Sequence, residues 1–165
     1  MEIERKYLLK SLPSNLDQYD HMELEQGYLC TNPVVRVRRE DDQYILTYKG
    51  KGLLCREEAN LPLTAEGYEH LREKADGIII RKTRYLIPLD GKEVRYHEDG
   101  SKIHSGTLAE LDVFHGEYEG LTLVEVEFDS IEQANAFVPP EWFGEDVSET
   151  GLYQNSRLAE KKQEF

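Results

Sequence analysis

Acids and bases recur in this sequence at a spacing of two, in seven short stretches spread over most of its 165 residues. Glu2 and Glu4 are followed by Lys6. Arg36 is followed by Arg38, Thr47 by Lys49, Arg56 by Glu58, Lys82 by Arg84, Glu110 by Asp112 and Glu125 by Glu127. Residues two apart on a β-strand project from one face, about 7 Å apart. Like charges at that separation repel unless something of opposite sign lies between them. Carboxylate pairs facing one another suit a hard divalent cation, which takes oxygen ligands. Pairs of Lys and Arg suit phosphate oxygens, and a guanidinium fork can hold two at once. Both kinds of pair on one inner surface would bind a metal–polyphosphate complex.

Such pairs need strands to carry them, and the chain reads as short strands separated by turn signals. Strands are expected over 2–9, 34–40, 44–49, 53–63, 78–89, 108–114 and 121–128, with a short apolar stretch at 27–30 after 22–26 and a hairpin at 93–98 and 102–104 around Asp99–Gly100. Thr64 caps an expected helix to about Asp76, with Tyr68, Leu71 and Ala75 on one face. Ser130 and Gln133 suggest a capping box for a helix to about Phe137, stopped by Pro139 and Pro140. A last helix is expected over 152–162, with Leu152 and Leu158 inward. Many strands and few helices argue a mainly β, α+β chain: an antiparallel barrel or sandwich with appended helices. One charged strand face is ordinarily a solvated surface over an apolar core. Seven of them, rich in Glu, Arg and Lys, argue an inverted barrel, charged inside and apolar outside under its helices.

The bulk composition sets the problem such a barrel would solve. There are 33 acids and 20 bases, a net charge of −13. That balance argues against nucleic acid or an anionic membrane as partner. An anionic ligand must instead meet a local basic cluster or metal ions. The length suits one domain, 1–165. Cys30 and Cys55 suggest neither a disulfide framework nor a zinc site and read as small packed residues. No signal peptide or membrane-length apolar run is seen, so a cytoplasmic setting is expected.

The stretches in their order also resemble a known family. Glu2-x-Glu4-x-Lys6, Gln26-Gly-Tyr-Leu29, Arg36-Val-Arg38, Leu46-Thr-Tyr-Lys-Gly50, Lys82-Thr-Arg84-Tyr85, Glu110-Leu-Asp-Val-Phe114, Glu125-Val-Glu127-Phe128 and a tail with Trp142-Phe-Gly144, Val147 and Tyr153-Gln-Asn155 resemble the CYTH, or triphosphate tunnel metalloenzyme, superfamily. The resemblance implies a closed eight-stranded antiparallel tunnel that binds a triphosphate with Mg²⁺ or Mn²⁺. Carried over, Glu2, Glu4, Glu125 and Glu127 would hold metal. Lys6, Arg36, Arg38, Lys49, Lys82 and Arg84 would hold phosphate oxygens. Glu58 would hold metal or orient water, and Glu58, Lys6 and Arg38 would serve the reacting phosphoryl. Glu110, Asp112 and Arg56 match less firmly. The tail would close one tunnel mouth. Compact bacterial members imply an inorganic triphosphatase, and a homodimer is compatible with the sequence. Two departures stand out: a long 93–107 hairpin, and Ser148 where Thr is expected.

Other readings of the same tunnel are a thiamine or nucleoside triphosphatase, an adenylate cyclase, or a polyphosphate-binding module without turnover. No nucleobase pocket is legible. His97 and His104 flank the Asp99–Gly100 turn, but hairpin histidines are ordinarily solvated. His21, His70 and His115 read as surface, Trp142 and Phe143 as a clamp under the tail. Arg81 lies on the face opposite Lys82 and is left out of the site.

Overall fold

A computed structural model describes residues 1–90, 96, 98–99 and 106–165. The strands are β1 (Glu2–Leu9), β2 (Asp20–Thr31), β3 (Val34–Glu40), β4 (Gln43–Lys49), β5 (Cys55–Arg56), β6 (Glu58–Pro62), β7 (Asp76–Pro88), β8 (Leu108–His115), β9 (Thr122–Glu127) and β10 (Phe143–Asp146). The helices are α1 (Ala65–Arg72), α2 (Ile131–Ala136) and α3 (Asn155–Glu160). The expected 93–98/102–104 hairpin, with His97 and His104, lies largely outside the described residues.

The sheet order is β10-β1-β9-β8-β7-β2-β3-β4-β6, with these neighbours paired antiparallel. The single strand expected over 53–63 is broken at Glu57, and the break makes the barrel. β6 pairs β4, while β5 turns to pair β1 through Glu2↔Arg56 and Ile3↔Cys55. One stretch thus joins the two ends of the sheet into a nearly closed barrel. Nine strands lie on the path where eight were expected; β10, an added edge strand, went unread because Phe143–Asp146 is short and follows two prolines.

Residues directly opposite in a ladder share a face. The pairs Lys6↔Glu125, Glu110↔Glu125, Arg84↔Asp112, Arg36↔Thr47 and Lys49↔Glu58 therefore put the charged faces of successive strands on one inner surface. The alternate residues Ile3, Tyr7, Leu111, Val124 and Val126 point outward into a core that also takes Ala134 of α2 and Phe143 of β10. This is the inverted arrangement the sequence suggested. Phe143 belongs to this outer core, 5.0 Å from the Tyr7 ring, rather than under the tail.

One end of the barrel departs from that scheme. Ile80, Phe114 and Leu123 oppose Gln26, Lys82 and Asp112, so they share the inner face. They form a second core with Tyr28, and Leu158 and Ala159 of α3 fill it. The tail is thus a stopper with an apolar underside. Leu158 is fully buried, whereas Leu152, expected inward, is 41% exposed because α3 begins only at Asn155. Gly77 has a φ of +70°, and a Cβ there would run into the Ala159 carbonyl. Tyr118 Oη donates to the Leu158 carbonyl at 2.7 Å. Cys30 is exposed, contrary to its reading as packed.

Candidate active site

The barrel encloses a cavity of about 160 Å³ whose lining is almost wholly charged. Seven carboxylates line it: Glu2, Glu4, Glu40, Glu58, Glu110, Glu125 and Glu127. Six bases face them: Lys6, Arg36, Arg38, Lys49, Arg56 and Arg84. Twelve of the fourteen residues singled out from the sequence are therefore brought to one cavity. The other two, Lys82 and Asp112, are fully buried beneath it.

The ion pairs sort the bases into those already engaged and those not. Lys49 Nζ lies 2.9 Å from both Glu2 oxygens, and Arg56 Nε is 3.4 Å from Oε1. Burial works against the Glu2 carboxylate, yet Lys49 and a hydrogen bond with Glu58 hold it down to about 2. Burial and that same hydrogen bond push Glu58 upward. Lys6 Nζ is 3.3 Å from Glu125, and Arg84 is 3.7 Å from it. Against burial, Lys6, Arg84 and Lys82 hold Glu125 well below the usual carboxylate range.

Glu4 is different. Its side chain makes no hydrogen bond or ion pair among the described residues, although its backbone N–H donates to the Leu54 carbonyl at 3.0 Å. Burial, then Glu125 and Glu2, hold its carboxyl well above the usual range. Glu127 lies directly across the β1–β9 ladder from Glu4. Burial, then Glu110, Glu2 and Glu58, push it up to about 8. Two adjacent carboxyls are thus pushed upward by burial and by the other acids around them.

The arginines form the opposite wall. Arg38 Nε donates to Gln26 Oε1 at 2.7 Å, and burial, Arg36 and Arg84 lower its guanidinium to about 10. Arg36 donates to Thr47 at 3.2 Å, but its Nε is buried with no partner among the described residues. A buried charged donor without an acceptor is costly, and a ligand oxygen in the cavity would relieve it.

Beneath this wall Arg84 grips Asp112 with Nε at 2.7 Å and a second nitrogen at 2.9 Å, and reaches Glu110 at 3.1 Å. Lys82 Nζ donates to Asp112 Oδ2 at 2.7 Å and lies 5.3 Å from the Phe114 ring centroid. Complete burial, despite Asp112 and with Arg84 adding to it, lowers Lys82 to about 7. Lys82 therefore faces Asp112 rather than the cavity, because its ladder partner is Phe114 at the stoppered end.

The CYTH domain matches residues 1–146. The chain belongs to the CYTH domain family. An inorganic triphosphatase of Nitrosomonas europaea is 38% identical over 161 residues, 96% of either chain. An inorganic triphosphatase of Acetivibrio thermocellus is 30% identical, with 95% of this chain and 92% of that one covered. The crystal structure of the inorganic triphosphatase NE1496 matches with a TM-score of 0.64 and 36% identity, over 97% of this chain and 95% of that one. A putative adenylyl cyclase from Hippeastrum, at 15% identity and a TM-score of 0.50 over 82% of this chain and 83% of that one, shares the fold. These CYTH relatives at 30% identity or more are hydrolytic enzymes by name.

CYTH tunnel enzymes are metal-dependent, and the residues here fit a hard cation in donor type. Glu4 and Glu127 are neighbouring carboxyls that a cation would let ionise. Among the described residues no three acids already converge as a metal cage. Glu2 and Glu125 are instead turned to Lys49 and Lys6.

Several lining residues were not singled out from the sequence, although Glu40 follows Arg38 at the spacing of two and Gln154 and Asn155 belong to the tail motif. Glu40 was read as the end of a strand, yet it lies on the inner face, 3.4 Å from Arg38. Gln154, Asn155 and Ser156 reach the cavity only because the tail folds back across the barrel end. Lys6 Nζ donates to the Tyr153 carbonyl at 3.0 Å, and Lys6 N to Ser148 Oγ at 2.9 Å. Ser148 Oγ also bonds Asp146, so serine serves where threonine was expected. Among the described residues no helix is long and apolar enough to cross a membrane.

Proposed function

We propose that the protein hydrolyses inorganic tripolyphosphate to diphosphate and phosphate, with Mg²⁺ or Mn²⁺, in the charged lumen. The observation that carries this reading is a cavity lined by arginines, one with a buried unpartnered Nε, facing carboxyls held above their ordinary range. Sequence relatives named inorganic triphosphatases support the choice of substrate.

Arg36, Arg38 and Arg84 would hold the phosphate oxygens, and Lys6 and Lys49 would exchange their carboxylates for them. Catalysis of phosphoryl transfer is mostly positioning and charge stabilisation. Glu2, Glu4, Glu125 and Glu127 would hold a divalent cation, which supplies neutralisation of the substrate oxygens and a template for them. Glu58, pushed upward beside Glu2, would orient the attacking water and take its proton. Water oxygen bonds the terminal phosphorus, the bond to the bridging oxygen breaks, and diphosphate leaves.

The test is phosphate release from tripolyphosphate with and without Mg²⁺ or Mn²⁺, comparing the native protein with Glu4→Gln. ATP, thiamine triphosphate and pyrophosphate run alongside. Metal-dependent release, lowered at least about a hundredfold by Glu4→Gln, is expected, with tripolyphosphate the best substrate. Binding without release would make this a polyphosphate-binding module. Cyclic AMP from ATP, or preference for thiamine triphosphate, would replace the named reaction.

A further inference from the structure

The lumen wall is built mostly of acidic and basic side chains, but the tail that stops one end brings Gln154, Asn155 and Ser156, all uncharged. Asn155 is fixed more firmly than its half-buried position suggests. Its Oδ1 accepts from Lys82 Nζ at 3.2 Å. On either side the chain is tied down, by Lys6 Nζ on the Tyr153 carbonyl and by Leu158 in the apolar plug.

The carbonyl end of the Asn155 amide faces Lys82 and accepts from it. The amide NH₂ then points elsewhere, and it has no acceptor among the described residues. Asn155 lines the same cavity as Arg36, whose buried Nε also has no partner. A buried donor without a partner on the barrel wall and a free amide NH₂ on the tail thus border one space. A neutral donor there can hold a phosphate oxygen without adding to the lumen's charge.

We infer that Asn155 is a substrate-contacting residue, its amide NH₂ donating to an oxygen of the bound triphosphate while its carbonyl stays on Lys82. This deepens the triphosphatase reading and rests on it. The tail then does more than stop the barrel. It supplies a ligand group, so binding depends on α3 being docked.

The experiment is calorimetric titration of tripolyphosphate with Mg²⁺ into the native protein, Asn155→Ala, Lys82→Met and the double variant, with melting curves for each. A hydrogen bond to a charged oxygen corresponds to about a tenfold or greater change in affinity. Asn155→Ala should lose about that factor in the native background and in the Lys82→Met background alike. If the loss disappears once Lys82 is gone, Asn155 acts only through Lys82 and the inference is overturned. Should Lys82→Met not fold, Asn155→Asp decides. It keeps an acceptor for Lys82 and lacks the donors, so affinity must fall at least tenfold with the melting temperature held. Native affinity in Asn155→Asp or Asn155→Ala overturns the inference while leaving the triphosphatase reading intact. Failure of the native protein to bind tripolyphosphate overturns both.

Discussion

Replacing Glu127 by Gln should make the metal-free protein more stable at alkaline pH and indifferent to Mg²⁺. In the fold its carboxyl is pushed from 4.5 up to about 8, by burial first and then by Glu110, Glu2 and Glu58. Between those pH values the native state keeps a proton that the unfolded state has released. Stability therefore falls as pH rises from about 4.5 to about 8. At about 1.36 kcal/mol per unit, the whole shift corresponds to about 5 kcal/mol. Glu127 is only partly buried, so water screening brings the expected difference to about 2 kcal/mol. Glutamine resembles the protonated acid and cannot ionise. In EDTA the two proteins should melt alike near pH 4.5 and diverge to about 4–8 °C by pH 9, the variant higher. Mg²⁺ binds the ionised form, so its stabilisation of the native protein should grow across the same window and be lost in Glu127→Gln. Thermal unfolding at pH 5, 7 and 9, with EDTA and with Mg²⁺, measures both effects. Parallel pH profiles for the two proteins in EDTA would refute the reasoning.

Arg36→Met removes a guanidinium whose Nε is buried without a partner, so unfolding stability should change by less than about 1 kcal/mol while KM for tripolyphosphate rises at least about tenfold; a large stability loss with unchanged KM would contradict this. Leu158→Ala empties the centre of the tail's apolar plug and should cost about 2–5 kcal/mol in urea unfolding; a cost under about 1 kcal/mol would mean the stopper is not packed as described. Gly77→Ala drives a Cβ into the Ala159 carbonyl at a positive φ, so amides of 155–160 should exchange faster and stability fall by about 1 kcal/mol or more; unchanged exchange there would show the tail docks without Gly77.

The charged inner wall was legible because strand geometry is local. Alternation alone assigns Arg36 with Arg38, or Glu125 with Glu127, to one face, and no distant residue changes that. The order and type of these residues also carried the CYTH resemblance, and with it the tail's expected place at a tunnel mouth. Alternation does not say how deep along the barrel a residue lies. Lys82 and Arg84 share a face and a charge, yet Lys82 pairs with Phe114 at the stoppered end and is sealed against Asp112, while Arg84 reaches the cavity. That difference is one of register between strands. Closure of the barrel at Glu57, the inward turn of Ile80 and Leu123 to meet Leu158, and the delivery of Asn155 to the cavity likewise depend on contacts between residues far apart in the chain. The sequence by itself determined which side chains face inward and what ligand chemistry they suit. Only the tertiary structure decided which of them meet solvent, which are spent on one another, and what the tail adds, because depth and pairing arise from long-range register rather than from local alternation.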